Sequence, residues 1–571
     1  MNFKKVLIKL LEQELKITNA EELLEVPPDP ELGDLAFPCF SLSKELKKSP
    51  QTIAQELLEK LSKKIPDYLE QIKATGPYLN FFIKKEELAK TILLEAVKQD
   101  YGKQPEKNNN VMVEYSQPNT HKAFHVGHLR GTSTGEALSR ILRYSGNKVV
   151  QVNYMGDTGM HIAKWIWFYN KYYQGVSPNA SRDKWIASIY VGAIKELEEN
   201  KKAIEEGTTK ENYQDEVDMY NKLIDERSPE IIDLWQKTRK WSLDEFNTIY
   251  DDLQAHFDHY FFESEMEEPA KKIVKEMLKK QIAEESDEAI IINLKKYNLG
   301  VWVLLRKDGT ALYSAKDIAL ADIKFKQYDI EESIYVVGNA QEMHMKQLFK
   351  TLEIMGFEHA DKCFHLGYDE VRFPEGKMSS RSGNNVLYTD LRKQVINYAK
   401  EQISKRHEDW SEEKISKVAK QVAICSMKFE MIAKDNNKNI IFELEKVCNF
   451  EGDTGPYVQY THARCNSILK KARYDSEQCA SYMLLSEPIE VELVKKLGEF
   501  PEIIESINKT KIPGELARYS LELCKIFNRF YHECKVIGTK EESLRLKIVD
   551  ATRNVLEKSL NLLGIDAPKE M

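Results

Sequence analysis

The chain has 571 residues but only eight cysteines, none of them arranged as CxxC. That scarcity excludes a zinc knot and a disulfide framework, and it fits a reducing, cytoplasmic compartment. No apolar run approaches the ~20 residues that a membrane-spanning helix requires. The opening MNFKKVLIKLLEQELK sets lysines among its leucines, and no small-residue cleavage site follows. It reads as an amphipathic first helix, not as a secretory signal. An excess of positive charge is also missing: 83 Lys and Arg stand against 91 Asp and Glu, a formal net charge of -8. Any nucleic-acid surface must therefore be local. The GxxxxGK[ST] pattern of a P-loop does not occur. What is present is an ordinary balance, 42% hydrophobic and 30% charged residues, with a mean hydropathy of -0.51. A chain of this length exceeds one core and should divide into about three or four domains.

The most informative stretch is Val111 to Thr132, VMVEYSQPNTHKAFHVGHLRGT. The apolar run Val111, Met112 and Val113 is short enough for a buried strand, and Pro118 and Asn119 mark a turn. Beyond His128, the residues Glu136, Ala137, Leu138, Ile141 and Leu142 fall at helical spacing. Strand, tight turn and helix N-terminus together present backbone N–H groups to a phosphate. The turn adds Lys122, His125 and His128, all able to donate to phosphate oxygens. The stretch predicts a nucleotide-triphosphate cradle.

Residues 1–108 read as a small α+β unit, with Ser49-Pro50 opening a helix and Gly76-Pro77 preceding the strand-like Tyr78 to Ile83. The polar run Lys103 to Asn110 is the most linker-like segment. Residues 109–391 alternate strand and helix patterns: strands are expected at Lys148 to Asn153, Gly300 to Leu305, Ser333 to Val337 and around Phe364 to Tyr368. A helical insertion with a solvated face is expected at about 165–295. Alternation of this kind predicts a Rossmann-like, doubly wound parallel sheet with its site at the carboxyl ends of the strands. From 392 to 571 the strand signals stop and 3-4 spacing takes over, which predicts an all-α C-terminal bundle.

Two remote clusters converge on one chemistry. HVGH, His125 to His128, opens a helix, and KMSS, Lys377 to Ser380, lies in a Gly/Ser-rich loop. Together they resemble the HIGH and KMSKS signatures of the class I aminoacyl-tRNA synthetases. In that family such groups surround the triphosphate while an amino acid carboxylate attacks the α-phosphorus and pyrophosphate leaves. The acids suggest which amino acid. Glu114 ends the first strand, and Tyr313 and Asp317 are four residues apart on one helix face. A carboxylate takes a guanidinium as a bidentate pair, and a second acid rejects neutral side chains.

The wording of the signature, VEYSQPNTHKAFHVGHLR, is similar to its arginyl-tRNA synthetase form, as are Asp308 to Ala319 and Val337 to Gln341. The resemblance implies ATP contacts at His125, Gly127, His128, Lys377, Met378 and Ser379. It implies that Glu114, Tyr313 and Asp317 hold the guanidinium while Ser116, Asn119, His128 and Gln341 fix the α-amino and carboxylate groups. Glu31 to Asp34 and Gly76 to Phe81 are similar to the family's N-terminal domain, which touches the tRNA elbow. Glu451 to Arg464 is similar to its tRNA-contacting helix, which implies RNA contacts at Tyr457, Gln459, Tyr460, His462 and Arg464. ATP with Mg2+, L-arginine and tRNA(Arg) are the implied cofactor and partners, with no protein-bound metal, no membrane, and a monomeric chain.

Three departures from the family pattern stand out. Ser380 replaces the second KMSKS lysine, and Lys122, just before HVGH, is positioned to substitute for it, with Arg381 as the competitor. Thr158 stands where the family commonly has Trp, and Lys316 where it commonly has Arg. Two rival readings fit less well. A small-molecule nucleotidyltransferase needs no helical bundle of this size, and a non-catalytic RNA-binding paralogue needs neither histidine nor Lys377.

Overall fold

The computed structural model describes residues 3–15, 23–27, 29–178, 181–374, 386–477 and 480–571. Two compact units emerge, and neither is contiguous in sequence. One comprises Met1–Tyr101, Arg464–Pro501 and Glu522–Val555; the other comprises Gly102–Ala463, Glu502–Leu521 and Leu556–Met571.

The first unit contains a three-stranded antiparallel sheet of β1 (Leu35–Pro38), β2 (Leu69–Thr75) and β3 (Tyr78–Ile83) in the order β1-β3-β2. The turn between β2 and β3 uses Gly76 at φ +57°, a left-handed conformation that a side chain disfavours. Helix Pro50–Leu61 starts as its sequence predicts: Ser49 caps the Thr52 N–H, and Ile53, Ala54, Leu57 and Leu61 are buried. Asp34 receives the Ile83 N–H at 2.7 Å and the Lys495 ammonium at 2.5 Å, tying sheet to helix within this unit.

The second unit is built on five parallel strands: β4 (Asn110–Glu114), β5 (Lys148–Met155), β6 (His259–Phe262), β10 (Glu332–Gly338) and β11 (Cys363–Tyr368). Their order is β11-β10-β4-β5-β6. Val111, Met112 and Val113 are wholly buried, as expected for a central strand covered on both faces. The winding reverses between β4 and β10, which opens a crevice at their carboxyl ends. Helix Val126–Tyr144 lies close on β4: a Cβ at Gly135 would stand 2.2 Å from the Tyr115 ring, so only glycine allows this approach.

Two sequence expectations are corrected. The predicted strand near 300–305 forms, as β9 (Val301–Leu305), but it pairs with β8 (Ala289–Asn293), which pairs in turn with β7 (Glu284–Ser286), in a separate antiparallel sheet. The span from about 165 to 295 is helical only in part. Helices Met160–Tyr172, Arg182–Glu205, Tyr213–Asp225 and Pro229–Leu253 are followed by β6, the edge strand of the parallel sheet. Four aromatic-rich residues between long helices carry too little period-2 signal to announce a strand. Beyond Tyr388 the chain is helical as predicted, apart from β13 (Ile440–Ile441), which pairs with β12 (Val371–Arg372).

Candidate active site

The turn from β4 to helix Val126–Tyr144 is conformationally costly. Ser116, Gln117 and His121 all have positive φ without being glycine, each at a cost of about 1–3 kcal/mol unless its surroundings enforce it. The surroundings do. The Ser116 hydroxyl lies 2.9 Å from the Tyr250 hydroxyl and accepts from Thr132 at 2.8 Å. The Gln117 N–H donates to Asn153 at 3.1 Å, and the His121 N–H donates to Ser242 at 2.9 Å. Both ring nitrogens of His121 are engaged, one by Thr120 at 3.1 Å and the other by Thr238 at 2.8 Å. Thr238, Ser242 and Tyr250 all belong to helix Pro229–Leu253. One insertion helix thus buttresses the turn, a role its charged composition does not announce.

The turn delivers an anion cradle. The His125 Nδ1 accepts the Gly127 N–H at 3.1 Å, and the His128 Nδ1 accepts the His125 N–H at 3.2 Å, a reciprocal helix cap. With both Nδ1 atoms accepting, each neutral ring carries its proton on Nε2. Burial, aided by the Lys122 charge, lowers His125 to about 4. Burial, then His125 and Lys122, holds His128 well below the usual imidazole range. The stacked rings, 3.8 Å apart, are therefore neutral donors. The positive charge comes from Lys122, which is half-buried, faces the Tyr190 ring at 5.4 Å and pairs with no carboxylate among the described residues. Burial lowers its pKa. An unpaired ammonium beside neutral N–H donors suits a polyphosphate.

Lys377, Met378, Ser379, Ser380 and Arg381 lie outside the described residues. The chain resumes against the cradle: the Val126 N–H donates to the Val386 carbonyl and the Tyr388 N–H to the Phe124 carbonyl, each at 3.1 Å. His125 and Leu387 form an antiparallel bridge. The insertion helices hold the other side, through Thr389 on Asp183, Lys184 on Asp390 at 2.5 Å and Arg392 on Asp252 at 2.5 Å. From the HVGH helix, the buried Arg130 donates to the carbonyls of Asp369 at 2.7 Å and Lys438 at 2.9 Å.

Acidic groups gather around Tyr154 and Tyr313, forming a candidate acidic pocket. Tyr313 is exposed at the start of helix Tyr313–Tyr328, and Asp317 follows one turn later with its Oδ2 2.6 Å from the His344 Nε2. Glu114, at the end of β4, is buried and ion-paired with the fully buried Lys324, which also covers the Tyr335 ring at 4.1 Å. Stripping Glu114 from Lys324 would cost about 3–5 kcal/mol. A guanidinium entering here would share Glu114 with Lys324, and would find its freer partner in Asp317. Asn119 packs its Oδ1 against Gly156, where a Cβ would sit 2.1 Å away. Gln341 is exposed just past the carboxyl end of β10.

Sequence reasoning missed three residues of this pocket. Burial raises the Glu263 carboxyl to about 7, against the Lys316 ammonium and with help from Asp157, Asp317 and Glu267. The Tyr154 hydroxyl is buried without a hydrogen-bond partner among the described residues. Burial raises its pKa, and the carboxylates of Asp317, Glu263, Glu114 and Asp157 add to the effect. Asp157 is the organiser: it receives Arg239 at 2.7 Å and the N–H of Ser264 at 2.9 Å, which seats the helix that Glu263 begins. One signal was available. Glu263 directly follows β6 as Glu114 ends β4, an acid at the carboxyl edge of a strand.

In helix Gly455–Ala472, Tyr457, Tyr460 and Arg464 are partly buried. Gln459 and His462 are interior: the Gln459 amide donates to the Asp566 carbonyl at 2.7 Å, and the His462 Nδ1 lies 2.9 Å from the Pro568 carbonyl. Their side chains hold the chain's own C-terminal segment, which the sequence could not reveal because those partners lie over a hundred residues away.

Comparison with known proteins identifies the family. Residues 89–444 match the family described as tRNA synthetases class I (R), catalytic domain; residues 458–571 match the DALR anticodon binding domain, and residues 1–83 the arginyl tRNA synthetase N terminal domain. An arginine–tRNA ligase of Clostridium perfringens is 36% identical over 581 residues, covering 100% of both chains. That of Bdellovibrio bacteriovorus is 36% identical, covering 95% of this chain and 93% of its own. The Thermus thermophilus arginyl-tRNA synthetase structure aligns with a TM-score of 0.82 at 27% identity, covering 100% of both chains. The Plasmodium falciparum enzyme shares the fold, with a TM-score of 0.78 at 21% identity over 100% of this chain and 98% of that one. Its catalytic, N-terminal and anticodon-binding parts all match one enzyme class in order, and the chain belongs to the arginyl-tRNA synthetase family of class I aminoacyl-tRNA synthetases.

Proposed function

We propose that the chain ligates L-arginine to tRNA(Arg) at the expense of ATP. The observation that carries this reading is the juxtaposition, at the carboxyl ends of neighbouring strands, of an anion cradle (Lys122, His125, His128) and an acidic pocket (Asp317, Glu263, Tyr313, Glu114). A triphosphate suits the first and a guanidinium the second. The arginine carboxylate then faces the α-phosphorus.

In the first step that carboxylate forms a bond to the α-phosphorus, the bond to the bridging oxygen breaks, and pyrophosphate leaves as arginyl-adenylate forms. Lys122 neutralises charge that grows on the leaving group, and the two Nε2–H groups donate to phosphate oxygens. Lys377, Met378 and Ser379 complete the ATP contacts. Tyr313 and Asp317 orient the guanidinium, with Glu114 shared between it and Lys324, while Ser116, Asn119, His128 and Gln341 hold the α-amino and carboxylate groups. In the second step the 2′-hydroxyl of the terminal adenosine attacks the acyl carbon and AMP leaves. Mg2+ accompanies ATP; among the described residues the cradle presents cationic and neutral donors. Adenylate formation awaits tRNA, which the partly buried Tyr457, Tyr460 and Arg464 engage, whereas Gln459 and His462, expected from the resemblance to touch RNA, instead brace their helix against the C-terminal segment. Residues 1–108, 109–391 and 392–571 serve elbow binding, catalysis and anticodon binding. The working form is a cytoplasmic monomer.

A charging assay with total tRNA and each amino acid separately tests the reading. Arginine alone should be esterified, and charging by another amino acid in preference would overturn it. A pH test addresses the pocket. Because a guanidinium favours the ionised form of Glu263, arginine binding expels its proton and affinity rises as pH climbs through about 7. Between pH 6 and pH 8 the arginine KM should fall by up to ~10-fold, the ratio set by one group titrating at that point. Glu263→Gln should flatten the profile. A wild-type profile already flat across this range would place Glu263 outside the pocket.

A further inference from the structure

The Lys122 charge acts on His125, His128 and His161, and His121 adjoins it in sequence; three of these four histidines are accounted for. His121 has both ring nitrogens committed to Thr120 and Thr238. His125 and His128 form the reciprocal cap. The fourth, His161, is the second residue of helix Met160–Tyr172, which starts just past the Gly156–Gly159 turn at the carboxyl end of β5. Its Nε2 is buried and has no hydrogen-bond partner among the described residues.

We propose that the His161 Nε2 contacts a phosphate oxygen of ATP beside Lys122 and stays with the pyrophosphate as it departs. This rests on the arginine-activating function proposed above. The charge environment favours an anion. Burial lowers His161 to about 3, and the one charged group that acts on it is the Lys122 ammonium. No carboxylate perturbs it, unlike Tyr154, on the neighbouring strand, around which four acids gather. His161 and Tyr154 thus stand in opposite charge environments, one under a lysine and the other among carboxylates. A neutral imidazole there adds a hydrogen bond to phosphate without adding a second positive charge. A buried nitrogen left without a partner is costly in a finished fold, and a ligand that supplies the missing hydrogen bond removes that cost.

The test is arginine-dependent ATP–pyrophosphate exchange with tRNA(Arg) present, on His161→Phe, which keeps the ring volume without nitrogens, and His161→Gln, which keeps a polar end. His161→Phe should lower kcat/KM for ATP by ~10-fold, the value of one lost hydrogen bond. It should weaken inhibition by pyrophosphate comparably and leave the arginine KM within ~2-fold. His161→Gln should recover most of the loss. His161→Leu replaces the phenylalanine variant if that does not fold. Wild-type ATP kinetics in the apolar variant would overturn the proposal, and so would a loss confined to arginine KM. Equal losses in both variants, accompanied by lowered Tm, would mark a purely structural histidine and also overturn it. Absence of arginine-dependent exchange in the wild type would strike the parent reading instead.

Discussion

Lys122→Ala is expected to slow arginyl-adenylate formation by ~10²-fold or more while leaving the arginine KM nearly unchanged. A loss of this size is typical for removing one contact to charge that develops in the transition state. The structure makes Lys122 a strong candidate for such a contact. Its ammonium is half-buried, so water screens it weakly, and no carboxylate among the described residues neutralises it. The imidazoles beside it are uncharged at neutral pH, so they donate hydrogen bonds but cannot replace its charge. The sequence departure at Ser380 adds to the case, since the lysine usual at that position in the family is missing. Single-turnover adenylate formation measures the effect. Near-normal rates for Lys122→Ala together with a crippled Arg381→Ala would transfer the role to Arg381.

Asp317→Asn should raise the arginine KM by ~10²-fold with little change in ATP affinity, the scale of a lost charge-assisted pair. Asparagine retains the shape of the side chain and can still meet the His344 Nε2, now 2.6 Å from Asp317, so a packing defect should contribute little. What disappears is the negative charge facing the guanidinium. Glu114 cannot compensate, because its charge is already matched by buried Lys324. Steady-state exchange at varied arginine gives the answer. An arginine KM equal to wild type would remove Asp317 from the pocket.

Much of this protein is legible in short stretches of chain. The apolar run at Val111, the HVGH helix start, the Ser49-Pro50 cap and the helical spacing near the C-terminus depend on neighbours within a turn or a strand, so pattern alone announces them. The KMSS reading carries its meaning in residue type and spacing, and it too was available from the order of residues. β6 was not: four edge residues between long helices have too few alternating positions to stand out. Nor was the membership of β9 in a second sheet, because partner choice is invisible in a strand's own residues.

The Lys122 region likewise began as a list of donors, and folding sorted them. His121 and His125 are four residues apart in one turn, yet one is locked into the scaffold by Thr238 and the other opens onto the cradle. Sequence alone was sufficient for the parallel α/β plan, which rests on local spacing, and for the enzyme class and the nomination of Lys122, His125, His128, Tyr313 and Asp317, which rest on short motifs that resemble those of a known family. Folding was needed to pair Glu114 with a lysine 210 residues away, to seat the helix that Glu263 begins on Asp157 through Ser264, and to bury the His161 Nε2 without a partner among the described residues. Charge balance in a low-dielectric crevice depends on every group within a few ångströms, and the chain brings those groups together from segments that do not neighbour one another in sequence.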